Sequence, residues 1–182
     1  MKKVKYIILI AVLIIIAMII AIYMQGNDER KDVERRKSWQ NETSNSEDVD
    51  INYSDATIYK KDRTEVKISS FSGKETVLLF WDTSNEDSLQ MVQRLSSLYE
   101  QYKDNVNFVL INTSQEFDDE MQEKLPFEIY NDFYQEAVRN MGITDVPTII
   151  YLRANNEVFQ SKYGLSTTDA IEANLDIILE EK

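Results

Sequence analysis

The chain contains no cysteine and no histidine among its 182 residues. Their absence excludes disulfide bonds, a thiolate nucleophile, an imidazole base and the usual protein sites for zinc and copper. Carboxylates, hydroxyls, amines and phenols are the groups that remain for any chemistry. We therefore expect no metal site and no cofactor.

Glycine and proline are also scarce, at four and two residues, while 43% of the residues are apolar. This composition is typical of a globular chain and excludes a fibrous or wholly disordered one. Acidic side chains outnumber basic ones by 32 to 20, which gives a net charge of −12. Because such a surface repels phosphate backbones, we expect no nucleic-acid partner.

An uncharged run, "YIILIAVLIIIAMIIAIYM", occupies residues 6–24. As a helix it would be about 28 Å long, close to the ~30 Å thickness of a bilayer core. A cleaved signal peptide is the alternative, but its apolar region is typically about 7 to 15 residues long and ends at a small-residue cleavage site. We predict that residues 1–25 form a transmembrane signal anchor, with residues 6–24 in the membrane.

Basic residues flank this run on both sides. Three lysines precede it, and five lysines and arginines lie within residues 30–37, so the charge rule leaves the orientation nearly balanced. Residues 26–50 have mixed charges and only Val33, Trp39 and Val49 as apolar residues. This composition predicts a flexible charged linker.

From residue 51 to residue 182 the pattern becomes that of one globular domain. An apolar run at residues 77–81 predicts a central strand covered on both faces, and the acidic run at residues 116–120 predicts a solvated helix start. The other predicted elements are strands at 56–59, 65–68, 106–112, 148–152 and 157–163, and helices at 88–102, at 133–141 ending at Gly142, and after Ser166. This order predicts an α/β sandwich with a mixed central sheet and helices on both faces.

Two stretches carry a family resemblance. Residues 79–88 read "LFWDTSNEDS" and follow Gly73-Lys74, and residues 142–152 read "GITDVPTIIYL". They resemble the thioredoxin-like domain of the membrane-anchored TlpA/ResA-type thiol-disulfide oxidoreductases. That family has a hairpin ending near "GK", then "FWATWCPPC" leading into a helix, and a cis-proline facing the active site. The resemblance covers roughly residues 55–180 and implies a thioredoxin-like three-layer sandwich outside the cytoplasm.

Residue by residue, the match is partial. Phe80, Trp81 and Thr83 coincide with the motif, whereas Asn85 and Ser88 stand where the family has its two cysteines. Two further positions depart from the family: Leu79 stands where thioredoxins have a buried acid, and Met91 where the ResA type has an active-site glutamate. The resemblance therefore implies a scaffold without its redox chemistry and without catalytic residues.

What the resemblance leaves is a peptide groove, because the family's proline loop presents backbone groups to an extended substrate. We predict a redox-inactive binding protein with a protein or peptide partner, acting as an extracytoplasmic accessory or chaperone-like factor. Its groove residues are Trp81, Thr83, Asn85, Ser88, Val146 and Pro147. This interpretation requires Asn85 and Val146 to lie on the same side of the molecule.

Several alternatives remain open at this point. The chain could be a structural subunit of a membrane complex, or an enzyme using Ser88 or Thr83, although no base is available for either. The acids Asp82, Glu86 and Asp87 could bind a cation or could simply suit the positive end of a helix that Ser84 or Asn85 caps. Trp81 could equally be core filler.

Overall fold

The computed structural model describes residues 56–180. The predicted anchor at residues 6–24 and the linker at residues 26–50 lie outside this range. Among the described residues, no helix is both long enough and apolar enough to cross a bilayer.

The described chain contains seven strands, four α-helices and one 3-10 turn, Ile68–Phe71. The strands are β1 Thr57–Tyr59, β2 Glu65–Lys67, β3 Glu75–Trp81, β4 Val106–Asn112, β5 Ile129–Asn131, β6 Thr148–Leu152 and β7 Val158–Tyr163. The helices are α1 Glu86–Tyr102, α2 Asp119–Lys124, α3 Glu136–Asn140 and α4 Thr168–Glu180.

All seven strands form one sheet in the order β2-β1-β5-β4-β3-β6-β7. The three central strands β3, β4 and β5 are parallel, and the outer pairs are antiparallel. Parallel neighbours require a crossover connection, and α1 supplies the one between β3 and β4. The mixed sheet that the sequence predicted is confirmed.

Strand β3 is buried along its whole length because helices cover both faces of the sheet. Its side chains alternate between the two cores, as the period of two for a strand requires. Leu79 and Trp81 lie in the core formed with α1 and α4. Leu78 and Phe80 lie in the core formed with α3 and the 3-10 turn. Helices on both faces give the three layers that the resemblance implied.

Helix α1 buries one stripe against the sheet, as its helical period predicted. The stripe consists of Ser88, Met91, Val92, Leu95, Leu98 and Tyr102. At its end the Tyr102 hydroxyl donates to the Asp176 carboxylate of α4 over 2.6 Å. Burial and this carboxylate raise the pKa of the Tyr102 phenol. The contact ties together the two helices on this face.

Three elements differ from the sequence prediction. The strand predicted at 65–68 ends at Lys67, and the 3-10 turn Ile68–Phe71 was not predicted. Strand β5 was not predicted, since its three residues are too few for a period to show. The helix predicted at residues 133–141 is shorter, because Gln135 has a left-handed backbone with φ of 53° and α3 begins only after it.

Asp132 fixes the start of α3. Its buried carboxylate accepts the backbone N–H groups of Glu136 and Val138, each over 2.8 Å. Burial nevertheless raises the pKa of the Asp132 carboxyl above its ordinary value, against the lowering effect of these hydrogen bonds. A carboxylate that lies four residues before the first residue of a helix leaves no periodic signal, so the sequence did not reveal this boundary.

Candidate functional site

The pairing of β3 with β6 sets the position of the site. The two strands are antiparallel, and Phe80 near the end of β3 is opposite Thr148 at the start of β6. The turn that leaves β3 and the loop that enters β6 therefore meet at the same edge of the sheet. These are the two segments that the family resemblance singled out.

Asn85 joins the two segments. It is the N-cap of α1, and its Oδ1 accepts the Ser88 backbone N–H over 2.9 Å. Its Nδ2 donates to the Val146 carbonyl over 3.2 Å. The side-chain amide is therefore satisfied on both sides, and Asn85 and Val146 lie next to each other as the interpretation required.

The loop before β6 presents Val146 at the surface. The Val146–Pro147 peptide bond is cis, Pro147 is buried and Val146 is half-buried. The Pro147 carbonyl accepts the N–H of Gly164 over 2.8 Å, which fixes the loop to the end of β7. Within residues 56–180 the Val146 N–H has no hydrogen-bond partner. One backbone donor therefore remains available beside Asn85.

Three of the six predicted groove residues, Trp81, Ser88 and Pro147, are buried. Trp81 and Ser88 are both 0% exposed, because Trp81 ends β3 on the face covered by α1 and Ser88 lies on the buried stripe of α1. The Trp81 indole N–H and the Ser88 hydroxyl have no partner among the residues that the structure describes. Trp81 therefore packs in the core, and the predicted groove residues that remain partly exposed are Thr83, Asn85 and Val146.

The buried hydroxyl of Ser88 bears on the enzyme alternative. A serine nucleophile needs access to substrate and a neighbouring base. Ser88 has neither, and half-buried Thr83 has no hydrogen bond within the described part of the chain. The geometry does not support hydroxyl chemistry at this site.

The acids near the site organise the turn. Asp82 accepts the Ser84 backbone N–H over 2.7 Å and the Ser84 hydroxyl over 2.6 Å. Glu86 and Asp87 are exposed in the first turn of α1, where a negative charge suits the helix dipole. No group of three side chains that could hold a metal ion occurs among residues 56–180. The acids of this turn therefore act as caps and surface charges in the described structure.

The two segments that meet at Asn85 carry charge of one sign. The segments 82–88 and 142–148 contain Asp82, Glu86, Asp87 and Asp145, and no lysine or arginine. None of the four acids forms a salt bridge within the described residues. The two segments that meet at Asn85 therefore form an acidic rim.

The positions of the family's titrating groups are occupied by apolar side chains. Leu79 is fully buried in the core beneath α1. Met91 is also fully buried, and its Sδ accepts the Ser166 backbone N–H over 3.2 Å. Arg94 donates to the Ser166 carbonyl from the next turn. Met91 and Arg94 thus attach α1 to the loop before α4.

Sequence reasoning missed a row of polar side chains next to the site. Trp81, Asn112 and Asn131 are in register at the ends of β3, β4 and β5. Asn112 Oδ1 accepts the Ser114 N–H over 3.0 Å, and Asn131 Nδ2 donates to the Glu116 carbonyl over 2.9 Å. The two amides hold the loop after β4. The available signal was Asn112 at the end of the predicted strand 106–112, whereas Asn131 ends a strand that the sequence did not reveal.

Comparison with protein families and solved structures supports the same fold. A family model described as Thioredoxin-like matches residues 73–158. No curated protein sequence matches the chain significantly.

Several solved structures match most of the described domain. The exposed lipoprotein thioredoxin of Streptococcus pneumoniae has 16% identity and a TM-score of 0.57, covering 68% of this chain and 98% of that one. StoA from Bacillus subtilis has 22% identity and a TM-score of 0.54, covering 66% and 94%. A secreted Mycobacterium tuberculosis disulfide oxidoreductase homologous to E. coli DsbE has 20% identity and a TM-score of 0.58, covering 66% and 94%.

At these identities the likeness shows the fold alone. The described chain is a thioredoxin-like domain with structural neighbours of the DsbE and StoA type. It contains no cysteine, which is consistent with the loss of thiol-disulfide exchange.

The side chain of Asn85 makes two hydrogen bonds, and two substitutions should separate their contributions to stability. Replacing Asn85 by alanine removes both the helix cap and the donor to the Val146 carbonyl, and should lower the free energy of unfolding by about 2 kcal/mol. Asn85→Ser retains a capping oxygen and loses only the donor, so it should lower the free energy of unfolding by about 1 kcal/mol. Urea unfolding of the full-length chain measures both. Equal losses for alanine and serine would show that the cap contributes nothing.

Proposed function

We propose that this chain is a membrane-anchored, redox-inactive thioredoxin-like protein that binds an extended segment of another protein outside the cytoplasm. In this role it serves as an accessory or chaperone-like factor. The observation that carries the proposal is the backbone of partly exposed Val146, which lies beside Asn85 with an unpaired N–H in the described structure.

The redox-inactive part of the proposal rests on the composition of the site. Thiol-disulfide exchange needs a thiolate at the helix N-terminus and a second thiol one turn further on. Asn85 and Ser88 stand at these positions and supply an amide and a buried hydroxyl. The buried positions occupied by Leu79 and Met91 provide no titrating group in support. All four side chains lack the groups that thiol-disulfide exchange requires.

The binding part rests on backbone geometry. Peptides that add to the edge of a structured segment are held by main-chain hydrogen bonds, and neighbouring pockets select their side chains. Val146 offers a free N–H, and its carbonyl accepts only the side-chain amide of Asn85 among the described residues. The acidic rim favours a segment that carries lysine or arginine. An extended, basic segment is therefore the partner that fits best.

The location of the protein is part of the proposal. The uncharged run at residues 6–24 has the length of a membrane span. Two of the structural neighbours are described as an exposed lipoprotein and a secreted oxidoreductase. We infer a single-pass protein of the cell membrane with residues 51–182 on the outer side.

Photocrosslinking in intact cells tests the groove. A photoreactive residue at position 146, or in a second variant at position 83, should give crosslinks to a partner protein because both positions face the proposed groove. The matched control is position 105, which is exposed at the opposite end of α1. Crosslinks at position 105 equal to those at 83 and 146 would place the partner elsewhere and favour a structural subunit.

The absence of cysteine allows a direct test of location. Asn105→Cys introduces a single thiol at an exposed position of the domain. A maleimide that does not cross membranes should label this variant in intact cells, and the chain should stay with the membranes after an alkaline wash. Deletion of residues 6–24 should release it from the membranes. Labelling only after lysis would contradict the outward orientation.

A further inference from the structure

The side-chain amide of Asn85 has a fixed orientation. Its Oδ1 must face the Ser88 N–H, because an amide nitrogen in that place would set a donor against a donor. The N-cap position therefore turns Nδ2 toward the Val146 carbonyl, which it meets at 3.2 Å. Helix capping and contact with the proline loop are two consequences of one rotamer.

The Val146 carbonyl is also the acceptor that an extended segment would use. A peptide pairing with Val146 donates one N–H to this carbonyl and accepts the Val146 N–H. The first of these bonds is already made, within the chain, by Asn85 Nδ2. The second is free in the described structure.

We infer that Asn85 is an internal competitor of the groove, whose Nδ2 holds the Val146 carbonyl until an extended peptide segment displaces it. This inference rests on the proposed function and adds the residue that sets its affinity. A thiol at this position could not donate to the carbonyl in the same way, since S–H is a weak donor. In the absence of a peptide, the side chain of Asn85 therefore occupies the Val146 carbonyl and closes this part of the groove.

Removal of Nδ2 should change the affinity for a peptide in one definite direction. A peptide that enters the groove gains one bond to the Val146 carbonyl and breaks the bond from Asn85 Nδ2. A variant without Nδ2 skips this exchange and should bind the same peptide about three- to tenfold more tightly, the factor that corresponds to one net hydrogen bond. Most substitutions at a binding site weaken binding, so a gain separates this role from a merely structural one.

Two substitutions remove the donor and keep the cap. Serine and aspartate are N-cap residues as good as asparagine. Ionised aspartate has no donor, and the serine hydroxyl lies one bond nearer the backbone than Nδ2, which already spans 3.2 Å to the Val146 carbonyl. Asn85→Ser leaves the charge of the rim unchanged and is the principal variant. Asn85→Asp adds a negative charge, so its effect on a basic peptide is compared at high salt, where surface attraction is screened. The matched control is Ser84→Ala, which changes the same turn at an exposed residue whose side chain bonds only Asp82.

The measurement is fluorescence polarisation with the full-length chain purified in a mild detergent. The probe is an acetylated and amidated seven-residue peptide of alternating lysine and valine that carries a fluorophore and, in a second form, a benzophenone. We expect Asn85→Ser to bind about three- to tenfold more tightly than the unmodified chain, and Asn85→Asp likewise at high salt. Ser84→Ala should bind as the unmodified chain does. Benzophenone crosslinks should fall within residues 82–88 and 142–148.

Two results would overturn the inference in different ways. If the unmodified chain binds the probe and Asn85→Ser binds it equally or less tightly, Asn85 does not compete, while the proposed function stands. If neither the unmodified chain nor any variant binds, or if the crosslinks fall outside both segments, the groove does not accept extended basic peptides. In that case the proposed function and the inference fail together.

Discussion

The antiparallel register of β3 against β6 decides where the site lies. With Phe80 opposite Thr148, the turn that ends β3 and the loop that begins β6 are held at one edge of the sheet. Asn85 Nδ2 can then donate directly to the Val146 carbonyl oxygen over 3.2 Å. A slip of one residue in this register would move the segments about 3.4 Å along the strands and would turn every side chain of one strand to the opposite face of the sheet. The alternation of the β3 and β6 side chains between two cores opposes such a slip.

On this scaffold, polar side chains give the N-terminus of α1 a structural role. The N-terminus of α1 keeps a capping side chain and two acids in its first turn. The amide of Asn85 then connects this end to the proline loop, whereas Ser88 is withdrawn into the core. Met91 at the family's glutamate position ties α1 to the loop before α4. Asn85 and Met91 thus connect α1 to the proline loop and to the loop before α4.

The sequence predicted most of the fold, because long apolar runs and a helical stripe signal their own structure. The strands at residues 106–112 and 148–152 have the predicted bounds. Strand β5 escaped because three residues show no period, and α3 is short because Asp132 and Gln135 set its start through contacts that no pattern reveals. In the site, motif order correctly indicated that Asn85 and Val146 meet. It could not show that Trp81 and Ser88 are buried, because burial beneath a helix depends on packing. It also could not show that the Asn85 amide forms hydrogen bonds with both segments.

The central claim is that residues 85 and 88 are the positions of a dithiol on an intact thioredoxin-like scaffold. Restoring the thiols with Asn85→Cys and Ser88→Cys together tests it most directly, because the two residues lie one helical turn apart at the start of α1. The account predicts that the double variant forms an intramolecular disulfide and accelerates insulin reduction by dithiothreitol above either single variant. Two thiols that remain free under oxidising conditions, with no gain in rate, would contradict it.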